Sequence, residues 1–134
     1  MNPIIFETKY NPTFADLDPF GHMNNEVYVS YFMRHRFDGL RERLGLDMSA
    51  FAKLPFIFVI KSLKVDYLKP IVGDREFTVT SHAETFGGAV AEVLCEMKTG
   101  DKVNATCRFE LVCIDKATMK PMDWPEEFTA KFFE

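Results

Sequence analysis

Between Asp16 and Asn25 the chain gathers acids, amides, a glycine and a histidine into one short stretch, Asp16-Leu17-Asp18-Pro19-Phe20-Gly21-His22-Met23-Asn24-Asn25. A carboxylate in such a loop can attack an acyl carbon, or deprotonate a water that does so. Pro19 biases Asp18 towards extended backbone, which aims its side chain out of the loop. Gly21 leaves the main chain open to an approaching ligand. His22 is a side chain that can orient water or a neighbouring carboxylate. Each has a plainer reading as well: Asp18 as a turn acid bonded to nearby N–H groups, His22 as a brace held through its backbone, Asn24 and Asn25 as caps and loop-fixers. Spacing alone leaves both readings of Asp18 and His22 open, whereas Asp16 reads as structural.

The elements around this loop must hold it. Ile4 to Phe14 reads as a first strand interrupted near Asn11-Pro12. From Glu26 to Leu44 the apolar residues Tyr28, Tyr31, Phe32, His35, Leu40 and Leu44 recur at three- and four-residue steps, which predicts a long helix. Asn24 or Asn25 is placed to cap its start and Gly45 to end it. Its N-terminal N–H groups and dipole would then face the loop, a ready site for a carbonyl oxygen that gains negative charge. Four strands follow, Phe56–Leu68, Glu76–Phe86, Ala89–Met97 and Lys102–Ile114, separated by the turn signals Lys69 to Asp74, Gly87-Gly88 and Thr99 to Lys102. In the last, Cys107, Phe109, Leu111 and Cys113 alternate with Thr106, Arg108, Glu110 and Val112, as in an antiparallel sheet with one dry face. A short amphipathic tail opens at Trp124. The order is that of an α+β domain in which one helix covers an antiparallel sheet.

Phe14 to Asn25, followed by Tyr28 and Tyr31-Phe32, resembles the signature of the 4-hydroxybenzoyl-CoA thioesterase-like family. Val65 to Pro70 with Gly73-Asp74 is similar to that family's strand-turn segment, and Ala105 to Asp115 with Thr118, Lys120-Pro121 and Pro125-Glu126 to its last strand and tail. The resemblance covers almost the whole chain, residues 1–134 as a single domain. It implies a hotdog fold, a long central helix wrapped by a five-stranded antiparallel sheet. The implied reaction is hydrolysis of an acyl thioester, from acyl-CoA or acyl-carrier protein, to free acid and thiol. No cofactor or metal is implied. The family's catalytic aspartate falls on Asp18, with Gly21 and the helix start as the carbonyl site and Asn24 and Asn25 as support. Plant acyl-carrier-protein thioesterases have a similar Asp, His and Asn-Asn arrangement, in which the histidine corresponding to His22 assists; Phe20 departs from their asparagine. Where the family often has a helix glutamate this chain has Met33, so that acid is absent, and Glu26, Asp38 and Glu42 read as solvated helix acids. Dimers or tetramers are implied, with sites at the junction. A hotdog dehydratase or hydratase and a non-catalytic acyl-thioester-binding module are the alternatives.

For the substrate, Tyr28, Phe32 and Phe58 are candidates to line an acyl or aryl pocket and Lys61 to meet a carrier phosphate. Lys64 and Lys69 read as an ordinary charged strand edge. The turn Phe86 to Ala89 carries no basic residue. A net charge of −4 without a basic block argues against nucleic acid. No apolar run reaches membrane-spanning length, and the start lacks the pattern of a signal peptide. Cys95, Cys107 and Cys113 lack metal-ligand spacing and read as buried thiols, His35 as a core or interface residue and His82 as a strand surface residue. A cytoplasmic setting is the expectation.

Overall fold

A computed structural model describes residues 2–134. The chain runs β1 (Phe6–Tyr10), α1 (Asn25–Leu44), α2 (Met48–Ala52), β2 (Phe56–Tyr67), β3 (Phe77–Gly87), β4 (Val90–Thr99), β5 (Lys102–Asp115) and α3 (Glu126–Thr129), with 3₁₀ turns at Phe14–Asp16 and Ala130–Phe132. All five strands join one antiparallel sheet in the order β1-β3-β4-β5-β2. This is the expected α+β hotdog architecture, with the long helix laid against the sheet.

Period-two alternation decides which face of the sheet is dry. Phe77, Val79, Ser81 and Ala83 of β3, Ala91, Val93, Cys95 and Met97 of β4, and Ala105, Cys107, Phe109 and Cys113 of β5 are buried. Tyr28, Tyr31, Phe32, His35, Gly39 and Leu40 of α1 are buried over them. Gly39 is a packing requirement: a Cβ there would stand 2.5 Å from the Phe6 ring, so its absence lets β1 lie close to the helix. A second cluster closes one end, where Trp124, Phe128 and Phe132 of the tail pack with Phe56, Phe6 and Leu40. All three cysteines are buried and unpaired, and burial pushes the Cys95 and Cys107 thiols up to about 12.

Three expectations need correction. The first strand is Phe6–Tyr10 rather than Ile4 to Phe14, because Pro12 has no N–H to offer a ladder and the chain turns there. The short helix α2 was not expected; Asp47 caps it by accepting from the Ala50 N–H at 2.9 Å. Helix α1 begins after Asn24, but the Asn24 side chain makes no capping bond.

Strand β2 is an edge, and its inner face is only partly covered. Phe58, Ile60, Leu63 and Val65 stand opposite Cys113, Leu111, Phe109 and Cys107, hence on the helix side of the sheet. Yet Ile60 and Leu63 are 37% and 41% exposed. The register shifts between Ile60 and Ser62, which makes Lys61 the extra residue of a bulge.

Candidate active site

The loop after β1 folds into a tight turn. The Gly21 N–H donates to the Asp18 carbonyl at 2.9 Å and the Asp18 N–H to the His22 carbonyl at 2.8 Å. Gly21 has φ of 76°, a left-handed value that glycine tolerates and side chains resist. Inside the turn, Asp18 Oδ1 accepts from the N–H groups of Phe20 (2.9 Å) and His22 (3.0 Å). Its Oδ2 has no hydrogen-bond partner among the described residues. One carboxylate oxygen of Asp18 thus fixes the turn, as its plainer reading expects, and the other takes no part in holding it.

The turn is lashed to the segment between β2 and β3. Met23 N–H donates to the Ile71 carbonyl at 2.8 Å, and Gly73 N–H to the Gly21 carbonyl at 2.9 Å. That segment is anchored from the core. The Tyr28 hydroxyl accepts from the Ile71 N–H at 3.0 Å, and buried Asn104 of β5 donates to the Lys69 and Pro70 carbonyls at 3.2 and 3.3 Å. On the other side, Asn24 N–H donates to the Asp16 carbonyl at 2.9 Å. Asp16 is structural as read: Thr13 N–H (2.8 Å) and the Tyr31 hydroxyl (2.6 Å) both donate to its Oδ2. Burial pushes the Asp16 carboxyl upwards, but the bonds from Thr13 and Tyr31 together with the charge of Arg34 hold the group below its ordinary value.

Helix α1 starts beside this turn. With Asn24 not capping, and Val27 N–H bonded to the Asn24 carbonyl at 3.0 Å, the N–H groups of Asn25 and Glu26 have no acceptor among the described residues. They are oriented along the positive end of a twenty-residue helix. Tyr67 braces this end by donating to the Asn25 carbonyl at 2.8 Å. The Gly21 N–H, by contrast, is already bonded within the turn, to the Asp18 carbonyl. The His22 ring is half-buried and makes no hydrogen bond among the described residues; its backbone holds Asp18.

The pocket candidates separate. Phe58 lines an apolar cavity of about 310 Å³ between α1 and β2, whose walls include Met33, Arg36, Leu40, Ile60 and Leu111. Tyr28 and Phe32 are buried in the core and are not in its walls. Lys61 is exposed at the bulge of the edge strand and is not among the residues lining the cavity. Neither Asp18 nor His22 lines the cavity within one chain. Sequence reading missed Arg36. The signal was the helical stripe Met33, Arg36, Phe37, Leu40, whose spacing puts a cation on an otherwise apolar face. Asp38, read as a solvated acid, is instead held by Arg41 at 2.8 Å and by the Tyr10 hydroxyl at 2.5 Å.

Over residues 12–132 the chain matches the thioesterase-like superfamily. It is similar to the long-chain acyl-CoA thioesterase FadM of Escherichia coli, with 25% identity over 117 residues covering 86% of this chain and 87% of that one. It is similar also to the acyl-CoA thioesterase YbgC of Haemophilus influenzae, with 24% identity over 119 residues covering 89% and 88%. Among solved structures, that of YbaW from Escherichia coli, described as a probable thioesterase, has the same fold at a TM-score of 0.83 and 22% identity, covering 96% of this chain and 99% of that one. With the fold, the loop and a family match over nearly its whole length in agreement, the chain belongs to the thioesterase-like superfamily and is a thioester hydrolase.

Proposed function

We propose that this protein hydrolyses acyl-CoA thioesters, with Asp18 as nucleophile or general base. The observation that carries the reading is the split duty of its carboxylate. Two backbone N–H groups hold Oδ1, while among the described residues Oδ2 has no partner and the first N–H groups of the nearby helix start have no acceptor. In the base route Oδ2 takes a proton from water and the hydroxide attacks the thioester carbon. In the nucleophilic route Oδ2 attacks directly, the C–S bond breaks to expel thiolate and leave an acyl-aspartyl anhydride, and water then cleaves that anhydride to the free acid and the Asp18 carboxylate. Either way the carbonyl oxygen gains charge in front of the Asn25 and Glu26 N–H groups before the C–S bond breaks, and the departing thiolate picks up a proton. We assign the His22 ring to orienting the water, beside the backbone N–H by which His22 steadies Asp18.

CoA is favoured as carrier because the similar proteins FadM and YbgC are acyl-CoA thioesterases. We also propose a homodimer built on the β2 edge. That edge offers unpaired backbone groups together with the helix-side apolar residues Ile60 and Leu63, which the chain's own helix leaves uncovered. A second copy there would close the cavity lined by Phe58 and Ile60. No helix among the described residues is long and apolar enough to cross a membrane, and three unpaired buried cysteines suit a reducing, cytoplasmic setting.

The test is thiol release from short, long and aromatic acyl groups, each presented on CoA and on acyl carrier protein. The expected result is thiol and free acid in equal amounts, with CoA esters the better substrates. Hydration of an enoyl thioester without free thiol would point to the dehydratase class. Binding without any turnover would point to an acyl-binding module.

A further inference from the structure

Arg36 lines the cavity between α1 and β2, and its charge is not used by the reaction. The cavity walls are almost wholly apolar except for Arg36. The guanidinium lies over the Phe6 ring at 5.0 Å and donates from Nη1 to Ser81 Oγ at 2.9 Å. It forms no ion pair among the described residues. Its helical neighbours three and four residues away are Phe32, Met33, Gly39 and Leu40, so no acid on α1 can reach it. Ser81 cannot serve as a counter-charge, and it is also engaged by His35 Nε2 at 2.6 Å, while His35 Nδ1 meets Thr8 Oγ1 at 2.7 Å. Burial, and then the charge of Arg36, push His35 down to about 4, so the imidazole stays neutral and adds no second cation.

A half-buried cation without a counter-ion is costly, and the cost falls when an anion arrives. The free donors of the fork suit a planar, two-oxygen anion. The surroundings restrict what can carry that anion. A nucleotide phosphate group, bulky and polyanionic, does not suit walls made of Met33, Phe37, Leu40, Phe58 and Leu111. An apolar chain that ends in one carboxylate does.

We infer that Arg36 is the anchor for a carboxylate borne on an acyl-derived chain lying in this cavity. The inference rests on the thioesterase reading for the identity of the chain, though not for the existence of the anion site. Two sources share the chemistry: a distal carboxylate on the acyl group of the substrate, or the carboxylate of the free acid that hydrolysis releases.

Two arms separate them. In the first, kcat/KM is measured for ω-carboxyacyl-CoA and plain acyl-CoA of equal chain length, in the wild type, Arg36→Met and Arg36→Lys. If the substrate carries the anion, the wild type prefers the ω-carboxy ester by about tenfold or more, as a charge-assisted bond allows. Arg36→Met removes that preference and Arg36→Lys retains part of it. In the second arm, binding of the free monoacid and of its neutral methyl ester is followed by calorimetry. If the product is the source, the wild type binds the acid more tightly than the ester, Arg36→Met equalises the two, and the ω-carboxy ester has no advantage in the first arm. Equal ratios in both arms for wild type and folded Arg36 variants overturn the anion site. Arg36-dependent acid binding with no thiol release from either ester would keep the anion site and remove the hydrolytic reading.

Discussion

At the scale of single residues, Asp18 and His35 show how one side chain can be fixed by its surroundings for opposite ends. Asp18 is held by two N–H groups on one oxygen, which keeps the carboxylate in place without using all of it. An asparagine at this position would keep an acceptor for the same two donors and remove only the second carboxylate oxygen, so it separates chemistry from turn geometry. His35 is 0% exposed and pushed down to about 4 by burial and by Arg36. An unfolded imidazole takes up its proton near 6.5, the folded one near 4, so acid favours the unfolded chain across that window. Stability to urea is expected to be full above pH 6.5 and to fall by about 3 kcal/mol by pH 4, taking 1.36 kcal/mol per unit. Asp16 acts the same way lower down. Its depressed value gives stability that is present above the ordinary carboxylate range and lost as pH falls below it. A urea midpoint that does not change between pH 7 and 4.5 would contradict the His35 assignment.

At the scale of elements, the helix can lie against the sheet only where side-chain size allows it. Gly39 is the clearest case. Replacing it with alanine gains about 1 kcal/mol of helix propensity. The new Cβ, however, would stand 2.5 to 3.0 Å from three atoms of the buried Phe6 side chain, and overpacking of that kind costs about 1–3 kcal/mol. Gly39→Ala is expected to lower the melting temperature by several degrees, as read by circular dichroism; an unchanged or raised value would mean that Phe6 moves aside freely. Much of this level was legible in the sequence. The apolar stripe of α1 and the alternation of β5 gave their positions, and the apolar series Phe58, Ile60, then Leu63, Val65 slips phase at Lys61, where the bulge lies. The stretch from Asp16 to Asn25 was recognisable as a loop from its Asp, Pro, Gly and Asn content, whereas the left-handed φ of Gly21 emerged only from the structure. Two further things were not legible. Helix α2 is five residues long, too short for a periodic pattern to emerge. The cavity has walls from α1, β2 and β5, which come together only through the sheet order, so its content could not be read from any one segment.

For the whole molecule, one chain leaves its work unfinished along β2. Ile60 and Leu63 face the helix side of the sheet and are still exposed, and the cavity beside them does not reach Asp18 within the same chain. A dimer through this edge would cover the residues and bring a second copy to the cavity mouth. Leu63→Glu is expected to give a folded monomer by light scattering, with thiol release reduced at least tenfold; a dimer of undiminished activity would place the interface elsewhere. The most direct test is thiol release by the wild type and Asp18→Asn on the best acyl-CoA of the panel, with circular dichroism to show that the turn-preserving variant is folded. The account predicts a loss of about 10²- to 10⁴-fold in kcat for Asp18→Asn. Equal rates for the two proteins would contradict it.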